Sequence, residues 1–290
     1  MMAAGSHDEA GAARDLVVAC TWLFGDHDHQ HIAERLARLG FDGVEVLADI
    51  MHCSPITLRH LYADAGLSVF SLTPENVDIA HVDDCQRDHA VNYYERLIEF
   101  AAELGCPRVT CHEAVGRTHP ADTIDAEWSR LVSSCRYLAE VAADHDISLI
   151  FEPLHRGLVS QIHRADEVCH LLDAVGHPAL SIVLDTYHLC LEESDPGAAI
   201  QRCGRHVTAV QLGDTDRRPL GTGTAPLDCC LIGLNDIGFN GPWILECTTQ
   251  LSGPSLAPGT IDLEQVEREL AASWQWLQAQ WAAIKKTPLG

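Results

Sequence analysis

Four short apolar runs in the second half of the chain each end in an oxygen-bearing side chain: Glu152 in LIFEPLHR, Asp185 in IVLDTYH, Gln211 in VTAVQLGD and Glu246 in PWILECT. One acid at such a position is ordinarily a turn or N-cap residue. Four in consecutive runs need another explanation. If the runs are neighbouring strands, about 4.8 Å apart, three carboxylates and one amide oxygen converge. Carboxylates gathered away from water need a counter-charge or they take up protons. Hard oxygen donors suit one divalent cation, Mn²⁺ first, with Mg²⁺ or Co²⁺ as alternatives, better than a structural zinc. Such a cation would bind a carbonyl and a neighbouring hydroxyl oxygen of a small substrate, acidify the adjacent C–H and stabilise the enediolate. Proton return on the opposite face then gives epimerisation, return on the next carbon isomerisation, and loss of a β-hydroxyl dehydration.

These residues need elements that bring them together. Eight runs are short, apolar nearly without alternation and rich in β-branched residues: 16–22, 43–47, 67–72, 108–113, 147–153, 180–186, 206–212 and 242–248. Such runs fit parallel strands covered on both faces. Between them lie stretches with helical spacing. HIAERLARLGF (31–41) places Ile32, Leu36 and Leu39 on one face, with Gly40 as a stop; 90–105 and 125–146 repeat the pattern, and 261–284 is long. Only DPGAAIQRCG (195–204) is short. Eight strand–helix repeats predict an α/β fold, a single (β/α)8 barrel over 15–290 after a disordered arm over 1–14. An open doubly wound sheet would place a Gly-rich phosphate loop after its first strand, where this chain has TWLFGDHDHQH. In a barrel, the strand C-termini carry the active site.

With 290 residues, 47% of them hydrophobic, the chain can fill one large core. Its 42 acidic against 19 basic residues give a net charge of −23, which repels phosphate backbones and anionic lipid heads. Nucleic acid and membranes are therefore not expected partners. The twelve cysteines contain no C-x-x-C pair and read as reduced thiols of a cytoplasmic enzyme. The first residues lack the apolar segment of a signal peptide, and no run reaches the ~20 apolar residues that span a bilayer.

Other features are less specific. His112 and Glu113 close the fourth run and could reach a substrate from the side opposite the eighth. TPENVD (73–78) reads as a loop over the pocket, where Glu75 or Asn76 could touch a ligand. His27, His29 and His31 fit a loop entering a helix better than a metal site. PLGTGT (219–224), near Arg217 and Arg218, is a weak phosphate signal. Trp274 and Trp281 share a helix face, which would cover the barrel or a subunit interface and leaves room for a homo-oligomer.

FDGVEV (41–46), FEPLHR (151–156), LDTYHL (184–189), DTDRRPLGTG (214–223) and IGFNGPWILEC (237–247) together resemble the xylose isomerase-like TIM barrel superfamily over roughly residues 15 to 285. Within it the chain is similar to the D-tagatose/D-psicose 3-epimerase and hydroxypyruvate isomerase groups. The resemblance implies that Glu152, Asp185, Gln211 and Glu246 hold the metal and that Glu152 and Glu246 are the catalytic acid/base pair. It implies substrate contacts from His188 and Arg217. His155, where many epimerases have Asn, is a further candidate, as is His112. Gln211 departs from the epimerases, which usually have His, and matches the hydroxypyruvate isomerase group. The expected function is metal-dependent isomerisation or epimerisation of a small keto-sugar or hydroxy-carbonyl compound. The alternative is a lyase of the same fold, an inosose-type dehydratase or a C-glycoside-cleaving catalytic subunit. An endonuclease-IV-like enzyme fits poorly, because 214–216 lacks the D-x-H pair and the chain is acidic. A non-catalytic sugar-binding barrel leaves Glu152 and Glu246 unexplained.

Overall fold

Runs that are apolar on both faces can exist only inside a covered sheet, and that is where the chain puts them. The computed structural model describes residues 15–250 and 261–286. The strands are β1 (Val17–Cys20), β2 (Gly43–Leu47), β3 (Ser68–Thr73), β4 (Arg108–Cys111), β5 (Ser148–Phe151), β6 (Leu180–Asp185), β7 (Val207–Leu212) and β8 (Trp243–Leu245). They pair in sequence order, and β8 pairs with β1 to close a parallel barrel. The barrel expected from the eight apolar runs is thus the fold. The arm expected over 1–14 lies outside the described residues.

The helices are α1 (His29–Leu39), α2 (Pro55–Asp64), α3 (Asp84–Leu104), α4 (Ile124–Asp144), α5 (Ala165–Val175), α6 (Thr186–Glu192), α7 (Pro196–Cys203), α8 (Leu227–Asp236) and α9 (Leu263–Lys286). Their starts are written locally: Asp28, Ser54, Asp83 and Thr123 each accept a backbone N–H of the first turn. Gly40 ends α1 in the left-handed region at φ 77°, as its place in the sequence implies. His29 bonds the Tyr62 hydroxyl at 2.6 Å and His31 pairs with Asp28, so the histidine run builds a helix start. Trp281 packs edge-on against Trp243, ring centroids 4.9 Å apart, which makes α9 a cover for β8.

Several strands stop earlier than their apolar runs. β1 ends at Cys20, and Thr21–Phe24 form a 3-10 turn. β5 and β8 end one residue before Glu152 and Glu246, whose backbone N–H groups still reach Cys111 O (2.8 Å) and Leu212 O (3.0 Å). Backbone pairing therefore holds these residues in place while their side chains leave the ladder. After β6 the chain turns directly into α6, an element the sequence reading did not separate. All twelve cysteines are free thiols. No helix among the described residues is long and apolar enough to cross a membrane.

Candidate active site

A cavity of about 1060 Å³ opens at the C-terminal ends of the strands. Glu152, Gln211 and Glu246 line it, together with all four residues expected to touch substrate, His112, His155, His188 and Arg217. Asp185, 1% exposed, sits beneath them at the end of β6. It is paired in register with Gln211 on β7. The two carboxyl oxygens of Asp185 have different duties. Oδ1 caps α6 by accepting from Tyr187 N at 2.7 Å. Oδ2 is buried and makes no hydrogen bond, facing Arg217 Nη1 at 3.1 Å and His188 Nε2 at 3.6 Å. One oxygen thus serves the N-cap of α6 while the other is left facing Arg217 and His188.

Gln211 is divided in the same way. Its Nε2 donates to Glu45 Oε2 (3.1 Å), and its Oε1 is buried without a partner. Glu45, fully buried on β2, also accepts from Thr73 Oγ1 (2.7 Å) and Thr110 Oγ1 (3.3 Å). Glu246 accepts from Trp22 Nε1 at 3.2 Å and pairs with Arg217 Nη1 at 2.5 Å. Arg217 Nη2 lies 3.0 Å from His188 Nε2, which accepts only in the tautomer protonated on Nδ1.

Burial dominates the electrostatics. It raises Glu152 well above the usual carboxylate range, with Asp185 and Glu246 adding to the effect. Glu246 is pushed up to about 7 by burial, against the opposing pull of Arg217. Burial also disfavours the charge on Arg217, but Glu246, Asp185 and Glu152 outweigh it and keep the guanidinium charged. Burial pushes His188 down to about 3, so its imidazole is neutral at physiological pH. One guanidinium is thus the counter-charge for three carboxylates.

Asp185 Oδ2, which makes no hydrogen bond and faces the Arg217 guanidinium and His188, and Gln211 Oε1, buried without a partner, are the kind of oxygen donors that a hard divalent cation takes. The residues present fit such an ion. Glu152, Asp185 and His188 place ligand atoms within 4.8 Å of one another. That brings His188 nearer to the donor set than expected, whereas Glu246 is engaged by Arg217 and Trp22.

Three participants escaped the sequence reading. Glu45 carried a signal, a lone acid inside an apolar strand. Trp22 and Tyr187, whose ring lies 4.9 Å from the Arg217 guanidinium carbon, carried none. The glycines of PLGTGT have a different duty from phosphate binding. The N–H groups of Gly221, Gly223 and Ala225 each donate to the Asp214 carboxylate at 3.0 Å, and Thr215 N does so at 2.7 Å. A Cβ on Gly223 would meet Asp214 Oδ1 at 2.3 Å. The wound loop carries Asp216 and Arg217 at φ 55° and 56°, an unusual conformation for side chains of this size. Asn76 and Glu113 are likewise committed to backbone: Asn76 to both polar groups of Val115, and Glu113 to Gln161 N and Ile162 N.

Comparison with known proteins agrees with this architecture. The chain is similar to a D-psicose 3-epimerase of Ruminiclostridium cellulolyticum, 28% identical over 237 residues, 78% of this chain and 80% of that protein. A 3-dehydroshikimate dehydratase of Pseudomonas putida is 29% identical over 187 residues, covering 62% of this chain and 28% of the larger enzyme. Among solved structures, an L-ribulose 3-epimerase superposes with a TM-score of 0.84 at 19% identity, covering 94% of this chain and 96% of that one. The family model described as xylose isomerase-like TIM barrel matches residues 33–279, and the chain belongs to that family.

Proposed function

We propose that this protein is a divalent-metal-dependent epimerase of a small keto-sugar, moving a proton on and off the carbon beside the carbonyl. The observation that carries the proposal is a pair of buried carboxyls, Glu152 and Glu246, at the ends of β5 and β8 in one cavity, beside Asp185 Oδ2, which faces Arg217, and the unpartnered carbonyl oxygen of Gln211. Relatives named D-psicose 3-epimerase and ketose 3-epimerase, 28% and 25% identical, support the substrate class.

Glu152, Asp185, Gln211 and Glu246 would hold the ion, with His188 close enough to join or replace one of them. When bound, a divalent cation withdraws electron density from substrate oxygens and makes the neighbouring C–H more acidic. The remaining work falls to the chain. One of Glu152 and Glu246 removes the proton, and the other supplies one to the opposite face. Arg217 stabilises negative charge on the substrate oxygen, and neutral His188 positions it. Trp22 keeps the Glu246 carboxyl in place through its indole N–H.

A deuterium wash-in experiment tests this. Mn²⁺-loaded enzyme is incubated with a panel of ketoses in D2O and followed by NMR. Deuterium should enter at one carbon beside the carbonyl, with inversion there and no loss of mass. Absence of exchange across the panel overturns the proposal. Loss of water would favour a second reading, a dehydratase, which the similarity to 3-dehydroshikimate dehydratase supports.

A further inference from the structure

Away from the cavity, two of the free thiols meet across helices. Cys169 on α5 and Cys203 at the end of α7 are 34 residues apart in the chain, and their sulfurs lie 3.8 Å from each other. Each also reaches the other's helix. Cys169 Sγ is 3.9 Å from Arg202 O, and Cys203 Sγ is 4.0 Å from Ala165 O. Cys169 is half-buried, so a small solute can reach it, whereas Cys203 is buried.

More than this contact holds the pair together. Glu193, just after α6, accepts from Ala165 N with Oε1 (3.0 Å) and from Arg202 Nη2 with Oε2 (3.1 Å). Its side chain is only 5% exposed. One carboxylate thus ties the first residue of α5 to the last turn of α7. Thiols fixed in this way meet at an effective concentration far above that of free thiols in solution.

The two sulfurs are unequal. As a thiolate, Cys169 accepts from the Cys203 S–H, which holds its thiol below the ordinary value; Arg202 adds to this, against burial and the charge of Asp173 and Asp166. The same contact, together with burial, pushes Cys203 up. The thiolate is the nucleophile in thiol–disulfide exchange. A reachable sulfur with thiolate character beside a shielded one is the arrangement of an attacking and a resolving cysteine.

We propose that Cys169 and Cys203 form a reversible oxidation site, closed to a disulfide by a small disulfide such as oxidised glutathione. The Cys169 thiolate attacks one sulfur of the oxidant, whose S–S bond breaks. A mixed disulfide forms, and the first thiolate leaves and takes up the proton that Cys169 gave up. Cys203 then loses its proton and attacks the Cys169 sulfur, and the second thiol of the oxidant departs with that proton. Two protein thiols are oxidised, and one small disulfide is reduced to two thiols. The new bond joins the helices that follow β5 and β6, in the sector whose strands lead to Glu152, Asp185 and Gln211. It closes a long loop, so the oxidised protein should resist unfolding.

The full chain is incubated with excess oxidised glutathione, remaining thiols are blocked with N-ethylmaleimide, and peptides are mapped by mass spectrometry. A peptide cross-linked through Cys169 and Cys203 should appear in the wild type and vanish on reduction with dithiothreitol. The melting temperature should rise and fall with it. Cys203→Ser removes the resolving sulfur, so glutathione should remain on Cys169. Cys169→Ser should leave Cys203 unmodified. Melting curves of the reduced variants report that both are folded, and the exposed Cys85 and Cys229 record the action of the oxidant. A Cys169 that stays free while those two carry glutathione overturns the proposal. So does a glutathione adduct that persists on Cys169 in the wild type without the cross-link.

Discussion

Gln211 Nε2 and Glu45 Oε2 lie 3.1 Å apart, and this hydrogen bond sorts the two ends of the Gln211 amide. Glu45 accepts from the NH2 group, which leaves the Gln211 carbonyl oxygen buried without a partner. Glu45 is itself fixed by the hydroxyls of Thr73 and Thr110. It is a positioning residue for the proposed metal donor. Glu45→Gln removes the sorting, because a second amide can present either end. Titration calorimetry should show Mn²⁺ affinity falling by about 10- to 100-fold. Gln211→His should retain binding, since an imidazole can donate one ring N–H to Glu45 and offer its other nitrogen to the ion. Unchanged affinity in Glu45→Gln would remove Glu45 from this role.

Glu152→Gln and Glu246→Gln keep the shape of the site and delete one proton carrier each. Either should lower kcat by at least ~10² in the exchange assay. A variant that turns over at the wild-type rate identifies a carboxyl that moves no proton.

Chelation should stop turnover, and Mn²⁺ should restore it. The melting temperature should fall with the metal, because the ion binds only the assembled cluster. Full activity in protein shown to be metal-free contradicts the proposed chemistry.

The metal-depleted protein should also respond to pH in a defined direction. Burial raises Glu246 to about 7, above its value of about 4.3 in an unfolded chain. A carboxyl raised on folding contributes its full stability below the unfolded value and loses it as pH climbs through the folded one. Wild-type protein in EDTA should therefore lose melting temperature relative to Glu246→Gln between about pH 5 and pH 8. Melting curves that stay parallel across that window would show that Glu246 is not the group responsible.

Gly223→Ala places a methyl group at the Asp214 carboxylate, 2.3 Å from Oδ1. The backbone must shift to admit it, at a cost of about 1–3 kcal/mol. Denaturant unfolding measures the loss, and a variant as stable as wild type would mean the loop yields freely.

The barrel was legible because burial on both faces writes itself as unbroken apolar runs, and helix ends as capping residues and glycines. Glu152, Asp185, Gln211 and Glu246 could be found because each interrupts such a run at the same end. What the sequence hides is division of labour within a side chain. Asp185 reads as an N-cap or as a donor, and only the geometry shows one oxygen capping α6 while the other faces Arg217 and His188. Arg217 offered no local sign that it would reach Asp185 and Glu246, because its direction depends on a left-handed backbone set by Asp214. Trp22 enters the cavity because β1 stops at Cys20 and coils, and apolar character does not distinguish the last rung of a strand from the first residue of a turn.

The loop from Asp214 to Ala225 is wound on a single carboxylate, and Arg217 sits at its bend. Its length is set by the reach of four backbone N–H groups to one anchor, so a residue inserted or deleted here would redirect the guanidinium rather than merely slacken a surface connection. Diversification of this barrel by loop exchange should therefore move the segment as a whole cassette, anchor included, and confine length changes to other rims of the cavity.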